Sequence, residues 1–264
     1  MVVPRVVPRD PVQMPVQTIS CFCWSPDHRK LALCPGSSEI QIYLVTSSGS
    51  GSNSLSFELI QKLNAHEDLV TGLDWSIHGQ LVSVSEDRVA FVWHTTKWTP
   101  SEVELAAPRG ASHVAWNSAG TKFAVSTSSQ HEKKCHIGMW NGDAKIWQAR
   151  KIGKHRAALT SSAWHPSGHV IALMSLDCTV TVHSVYLKGY DAPCDPVHFQ
   201  GKNACEAAFG SILHRISLTA WCLHGAFSPD GSSLAVCSQD GCVRIDKYVF
   251  PHQSIFHSFN GSSN

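Results

Sequence analysis

Short apolar runs broken by polar turns make up most of the chain, and apolar positions at helical spacing are almost absent. The stretch 66–93, HEDLVTGLDWSIHGQLVSVSEDRVAFVW, shows the pattern. One alternating run leads into Trp75, a second covers 81–84 and a third covers 89–93. Alternation with period two turns one face to a core and the other away, so this stretch predicts three short strands joined by tight turns.

The same unit recurs. Its anchors are CFCWSPDHRKLALC at Trp24, LDWSIHGQLVSV at Trp75, VAWNSAGTKFAV at Trp116, SAWHPSGHVIAL at Trp164 and GAFSPDGSSLAV at Phe227. Each is a strand ending in an aromatic, a polar turn and a second strand; a third run follows (EIQIYL, RVAFVW, CHIGMW, TVTVHS, CVRIDKY). The anchors lie 51, 41, 48 and 63 residues apart, and the third copy is stretched by the polar insert SSQHEKK. Ser-Pro-Asp suits a tight connection, because Pro fixes one φ and Asp or Gly accepts the next angle. Weaker fourth strands are expected at 57–63, 103–107, 145–149 and 255–259.

A repeat of about 40–50 residues carrying four strands is the period of a propeller blade. A sandwich or single barrel also uses short strands, but does not require five in-phase copies of one unit. The expectation is an all-β, WD40-type β-propeller over 16–247, with five recognisable blades beginning near residues 16, 67, 111, 158 and 220. Residues 1–15 read as a disordered proline-rich extension, 187–219 as a long loop and 248–264 as a divergent tail.

Composition narrows the function classes. The 264 residues carry 21 basic and 20 acidic side chains, so net charge gives no general attraction to nucleic acid or an anionic membrane. Charged residues make up only 16% of the chain, which suits a subunit covered by partners. No run approaches the length needed to cross a bilayer, and prolines in MVVPRVVPRDP interrupt any leader-like apolar core. The ten cysteines fall largely inside apolar runs, where a free thiol packs as a small hydrophobe. The chain therefore reads as cytoplasmic with reduced thiols, and the sequon at Asn260 as incidental.

Asp87, Asp177 and Asp240 occupy one position, just before the third strand of three copies; copy one has Ser38 there. A carboxylate in that turn can accept backbone N–H groups and the proton of a buried imidazole. His66, Ser83, Asp87 and Trp93 are thus expected to form a buried structural chain, complete only in copy two. The same residue types make a hydrolytic triad, but catalysis needs an exposed nucleophile with oxyanion donors, and here the serine is mid-strand beside a tryptophan. No glycine-rich phosphate loop, HExxH or CxxC is present, so no catalytic residue and no cofactor is assigned. Cys194, His198, Cys205 and His214 share one loop, but their spacing matches no standard zinc pattern, leaving metal binding open. The run KIWQARKIGKHR, with Lys145, Arg150, Lys151, Lys154 and Arg156, reads either as a solvated loop or as a docking face for an acidic partner. Trp98 and Trp140 are candidate interface anchors.

The generic Gly-His and Trp-Asp pairs of WD repeats are mostly degraded. A narrower likeness is carried by ISCFCWSPDHRKLALCPGSSEIQIY, HEDLVTGLDWSIHGQLVSVSEDRVAFVWHTTKWTP, AAPRGASHVAWNSAGTKFAVST, KIGKHRAALTSSAWHPSGHVIALMSLDCTVTVHSVYLKG and CLHGAFSPDGSSLAVCSQDGCV. These resemble subunit 1 of the actin-related protein 2/3 complex, across most of 19–187 and 223–243. The resemblance implies a non-enzymatic scaffold in the cytoplasmic actin cytoskeleton. Its partners would be the other subunits, the actin-like ones included, with the actin filament and nucleation-promoting factors, but neither nucleic acid nor membrane. That family has seven blades where five anchors are found. The expectation is an incomplete ring from a shortened chain, the alternative being a smaller closed ring. The competing readings are a generic WD adaptor in another assembly and a non-functional truncated form.

Overall fold

A computed structural model describes residues 16–47, 55–105, 110–127, 134–153, 155–192, 197–199, 201–248 and the backbone of 257–259. The 1–15 extension and most of the 248–264 tail lie outside the described residues.

Five four-stranded antiparallel sheets follow one another along the chain. The first contains β1 (Cys21–Trp24), β2 (Lys30–Cys34), β3 (Ile40–Ser47) and β4 (Leu55–Leu63). The second contains β5 (Val70–Trp75), β6 (Leu81–Ser85), β7 (Val89–His94) and β8 (Thr99–Glu104). The third contains β9 (Ala111–Trp116), β10 (Lys122–Thr127), β11 (Cys135–Asn141) and β12 (Ile146–Ile152). The fourth takes β13 (Leu159–Trp164), β14 (Val170–Ser175) and β15 (Thr179–Ser184), then adds its outer strand after a small hairpin of β16 (His198–Phe199) and β17 (Lys202–Asn203). That outer strand is β18 (Ile212–Ser217). The fifth contains β19 (Cys222–Phe227), β20 (Ser233–Ser238), β21 (Val243–Lys247) and β22 (His257–Phe259).

The turn between first and second strands is built alike in every sheet. The fourth residue after the anchor aromatic has positive φ: His28 at 56°, Gly79 at 78°, Gly120 at 64°, Gly168 at 72° and Gly231 at 74°. Only glycine adopts that region without a Cβ penalty, so four copies use it and the first strains a histidine instead.

Three sequence expectations need correction. The outer strand of the second sheet is β8, not 103–107, because a turn closing on Trp98 N–H to His94 O (2.7 Å) starts the return early. Pro100 is tolerated there because an edge strand can spare a donor. The basic stretch after Lys145 is mostly β12, so the fourth strand expected at 145–149 runs on to Ile152 and the solvated-loop reading of that stretch gives way. The loop 187–219 holds a hairpin and β18; a register shift opposite Val182 and His183 buries adjacent Leu213 and His214, hiding the alternation.

Innermost strands pack in chain order, β1 on β5, β5 on β9, β9 on β13 and β13 on β19. Among the described residues no substantial packing returns from β19 to β1, so the blades form an incomplete propeller. The core is accordingly a series of seams. Ile40, Ile42, Leu73 and Trp75 fill the first; Val82, Val92, Trp116, Phe123 and Trp147 the second. Ile137, Ile152, Leu159 and Leu173 fill the third, and Val180, Leu213, Leu234 and Val236 the fourth. Gly138 is required at the second, since a Cβ there would meet the Phe123 ring at 2.2 Å. Both ends of the arc show apolar side chains to solvent, Phe22 and Trp24 on β1, Leu223 and Val243 on the fifth sheet.

Candidate functional site

The turn aspartates use one oxygen on their own turn. Asp87 Oδ1 accepts the N–H of Val89 at 3.0 Å, Asp177 that of Thr179 at 3.1 Å and Asp240 that of Cys242 at 3.1 Å. The next residue has positive φ each time: Arg88, Cys178 and Gly241. This is an Asx-type turn, and it leaves the other oxygen aimed at the preceding connection.

In the second sheet that oxygen meets His66. His66 Nδ1 lies 2.7 Å from Asp87 Oδ2, and its Nε2 lies 2.7 Å from Ser83 Oγ. Trp93 donates its indole N–H to the same hydroxyl at 2.9 Å. The polarity is then fixed by the chemistry: Asp87 accepts Nδ1–H, Nε2 accepts the serine proton, and Ser83 oxygen accepts from Trp93. Burial holds the imidazole below its usual pKa against the opposing pull of Asp87, which keeps it neutral. Ser83 is fully buried and its proton is committed, so it cannot serve as a nucleophile for an external substrate.

The fourth sheet carries a second version that the sequence pattern conceals. His155 Nδ1 stands 3.4 Å from Asp177, and its Nε2 is 3.0 Å from Thr181 Oγ1. His183, six residues after the aspartate as Trp93 is after Asp87, also reaches Thr181, at 2.9 Å. The hydroxyl has moved from the middle strand, where Leu173 replaces Ser83, to the third strand. In the fifth sheet Thr219 replaces the histidine and donates to Asp240 at 2.8 Å near the surface. Asp246 stands in the tryptophan's place and binds His214 Nε2 on β18 at 2.9 Å, joining two sheets.

Lys122 is the residue that sequence reasoning missed. Its side chain is fully buried on β10, with Nζ donating to Val185 O at 2.6 Å and to Asp191 Oδ2 at 2.5 Å. Asp191 also accepts Leu187 N–H at 2.6 Å. Tyr190 places its ring 5.6 Å from the ammonium, donates its hydroxyl proton to Thr121 O at 3.0 Å and accepts Trp140 N–H at 3.2 Å. Burial lowers the Lys122 pKa, while Asp191 works against that shift. Its partner lies in irregular chain between the third and outer strands of the fourth sheet, so no strand periodicity announces it.

The expected partner-facing residues do not gather into one patch. Trp98 is half-buried, packs edge-on to Trp75 at 6.1 Å and lies under Lys30, so it belongs to the first seam rather than to an exposed anchor. Lys145 is exposed in the β11–β12 turn. Arg150 and Lys151 point to opposite faces of β12, and Arg156 N–H caps Asp177 at 2.9 Å. Lys154 lies outside the described residues. Arg150 does line a cleft of ≈ 220 Å³ with Trp140, Asn141, Asp143, Gln148 and Tyr190, and its guanidinium sits 5.7 Å from the Phe209 ring. Of the loop's soft ligands, His214 is taken by Asp246, His198 is on β16, Cys205 follows β17 and Cys194 lies outside the described residues. Among the described residues no three His, Cys, Asp or Glu side chains are grouped to hold a metal.

Comparison with known proteins agrees with this architecture. The family "WD domain, G-beta repeat" matches residues 57–94 and 213–245. Each match begins on the outer strand of one sheet and ends on the third strand of the next, so repeat and blade are out of phase by one strand. Actin-related protein 2/3 complex subunit 1A of Arabidopsis thaliana is 32% identical over 89% of this chain and 60% of its own length. Subunit 1 from Saccharomyces cerevisiae is 30% identical over 75% of this chain and 51% of its own length. The human GATOR2 complex protein WDR59 is 30% identical over 44% of this chain and 12% of its own length. The chain spans about 60% of the length of the curated plant relatives it matches. The chain carries WD repeats on an incomplete β-propeller and is similar to subunit 1 of the actin-related protein 2/3 complex.

Proposed function

We propose that the chain acts as a non-enzymatic scaffold within an actin-related protein 2/3 complex, in the cytoplasmic actin cytoskeleton, and contributes to branched-filament nucleation through protein contacts. The observation carrying this reading is similarity to subunit 1 over nearly nine-tenths of the chain, 89%. The buried Ser83, whose proton is committed to His66, fits a docking role better than a nucleophilic centre. The partners in this reading are the other subunits, the actin-like ones first, with the filament and nucleation-promoting factors after them. Arg150 and the Trp140 cleft it lines, with Lys145 in the adjoining β11–β12 turn, are the surface we assign to an acidic partner.

The test is affinity purification of the tagged full chain from its own cells, followed by identification of bound proteins. Recovery of both actin-like subunits is expected. A partner set drawn instead from another WD-containing assembly would replace this reading with that of a general adaptor.

A further inference from the structure

Cys21 on β1 and Cys34 on β2 stand directly opposite one another in the antiparallel register. Other strand cysteines face different residues: Cys23 opposes Ala32, Cys135 opposes Ser126, and Cys222 opposes Ser238. Opposed residues in antiparallel strands have Cα atoms about 4.5–5.5 Å apart, inside the span of about 4.4–6.8 Å that a disulfide bridges. Opposed residues of neighbouring strands also turn their side chains to the same face of the sheet, so the two thiols share one side. We propose that Cys21 and Cys34 are a redox modification site, closing reversibly into a disulfide in exchange with a small-molecule disulfide of the glutathione class.

The two thiols are differently placed, and each placement suits one step. Cys21 lines a cavity of ≈ 450 Å³ on the inner side of the arc, with Ser20, Thr71, Gly72 and His113, so a small reagent can reach it. Cys34 is fully buried behind it. Its sulfur lies 3.0 Å from Ser37 O, to which the thiol donates, and the backbone of Ser37 and Gly36 helps hold its pKa below the ordinary thiol value. Pairing with Cys21, with help from Ser20, draws the Cys34 pKa down, while the same pairing and burial push Cys21 up. Cys21 lines the cavity and Cys34 does not, so Cys21 is the sulfur an entering disulfide meets first.

The chemistry balances. Cys21, once deprotonated, attacks as its thiolate one sulfur of the small disulfide, giving a mixed disulfide and expelling one small thiolate, which takes up the released proton. Cys34 thiolate then attacks Cys21 sulfur, closing the protein disulfide and expelling the second small thiolate. The protein dithiol loses two electrons and the small disulfide gains them. In the reduced form Ser20 Oγ donates to Val70 O across the first seam at 3.0 Å, and Cys21 sulfur lies 3.8 Å from the same oxygen. Closure would pull Cys21 from Val70 and pin β1 to β2, altering the seam between the first two sheets.

The site can be tested on the intact chain in buffers of graded reduced and oxidised glutathione, quenched in acid, alkylated and digested. The expected product is a cross-linked peptide joining Cys21 to Cys34, lighter by two hydrogens and restored by dithiothreitol. Alkylation of both residues should fall about tenfold between the most reducing and most oxidising buffers. In Cys34→Ser the second step is blocked, so Cys21 should accumulate as the glutathione mixed disulfide. Unchanged alkylation of both residues in the folded wild-type chain, or a cross-link to Cys23 instead, overturns the proposal; neither result depends on the variant folding.

Discussion

The second sheet and the seam between the third and fourth both seat ionisable groups away from water, by opposite routes. In the second sheet every polar partner comes from the repeat: His66 from the preceding connection, Asp87 from the turn, Ser83 and Trp93 from adjacent strands. At the seam Lys122 takes its counter-charge from Asp191, which no other copy supplies. The repeated network lets one proton order settle the whole chain with a neutral imidazole. The seam instead holds a charge whose desolvation must be offset by one carboxylate, one carbonyl and one aromatic ring. A repeat can therefore drift at its polar positions, as the fourth and fifth sheets do, whereas the seam tolerates no partial version.

This difference sets the order of mutational effects. Lys122→Met should be the largest, destabilising by about 3–5 kcal/mol because Asp191 is left buried and uncompensated. Lys122→Met combined with Asp191→Leu should recover most of that loss in urea unfolding; equal damage in single and double variants would show the pair is not coupled. His66→Ala should cost about 2–3 kcal/mol by stranding Asp87 and Ser83. Thr219→Ala, the corresponding change in the fifth sheet, should stay within about 0.5 kcal/mol because Asp240 faces solvent. Similar losses at His66 and Thr219 would erase the distinction between buried and exposed copies.

Acid should act on the repeat networks next. His113 and His183 are held at about 4 against 6.5, chiefly by burial, and His66, His155, His165 and His169 are lowered from 6.5 for the same first cause. Below pH 6.5 the unfolded chain binds protons that the folded chain refuses until its lower pKa is reached. Stability is thus lost as pH falls from 6.5 toward 4, at about 1.4 kcal/mol per pH unit for each group within its own window. Asp74 opposes this: burial raises it from 3.8 to about 6, so its proton uptake adds stability over that interval, one group against several. Melting followed by circular dichroism should show a lower Tm at pH 5 than at pH 7.5, and a flat profile would contradict the neutral-imidazole assignment. Lys145→Glu with Arg150→Glu should cost under about 1 kcal/mol of stability, with a clear drop in partner recovery. Undiminished recovery would return those residues to ordinary solvated surface.

What could be read from the sequence follows the same division. Strand order, the five anchors and the His66–Asp87 geometry rest on fixed spacings, and a spacing is visible in one chain. The fourth-sheet network escaped because its hydroxyl moved from the position of Ser83 to Thr181, two residues before His183. β18 escaped because a register shift broke its alternation. Trp98 looked exposed in a polar stretch, but the early turn at His94 folds it back onto Trp75. Lys122 could not be found from pattern at all: a lysine in KFAVST reads as a strand's solvent end, and only the return of 187–191 across β10 buries it.

The central proposal is that this chain assembles as a propeller subunit of an actin-related protein 2/3 complex. Its most direct measurement is co-expression with the remaining subunits of the complex, followed by size-exclusion chromatography with quantified subunit ratios. The account predicts elution of the chain with both actin-like subunits in equal amounts. Elution of folded chain apart from an otherwise assembled complex would contradict it.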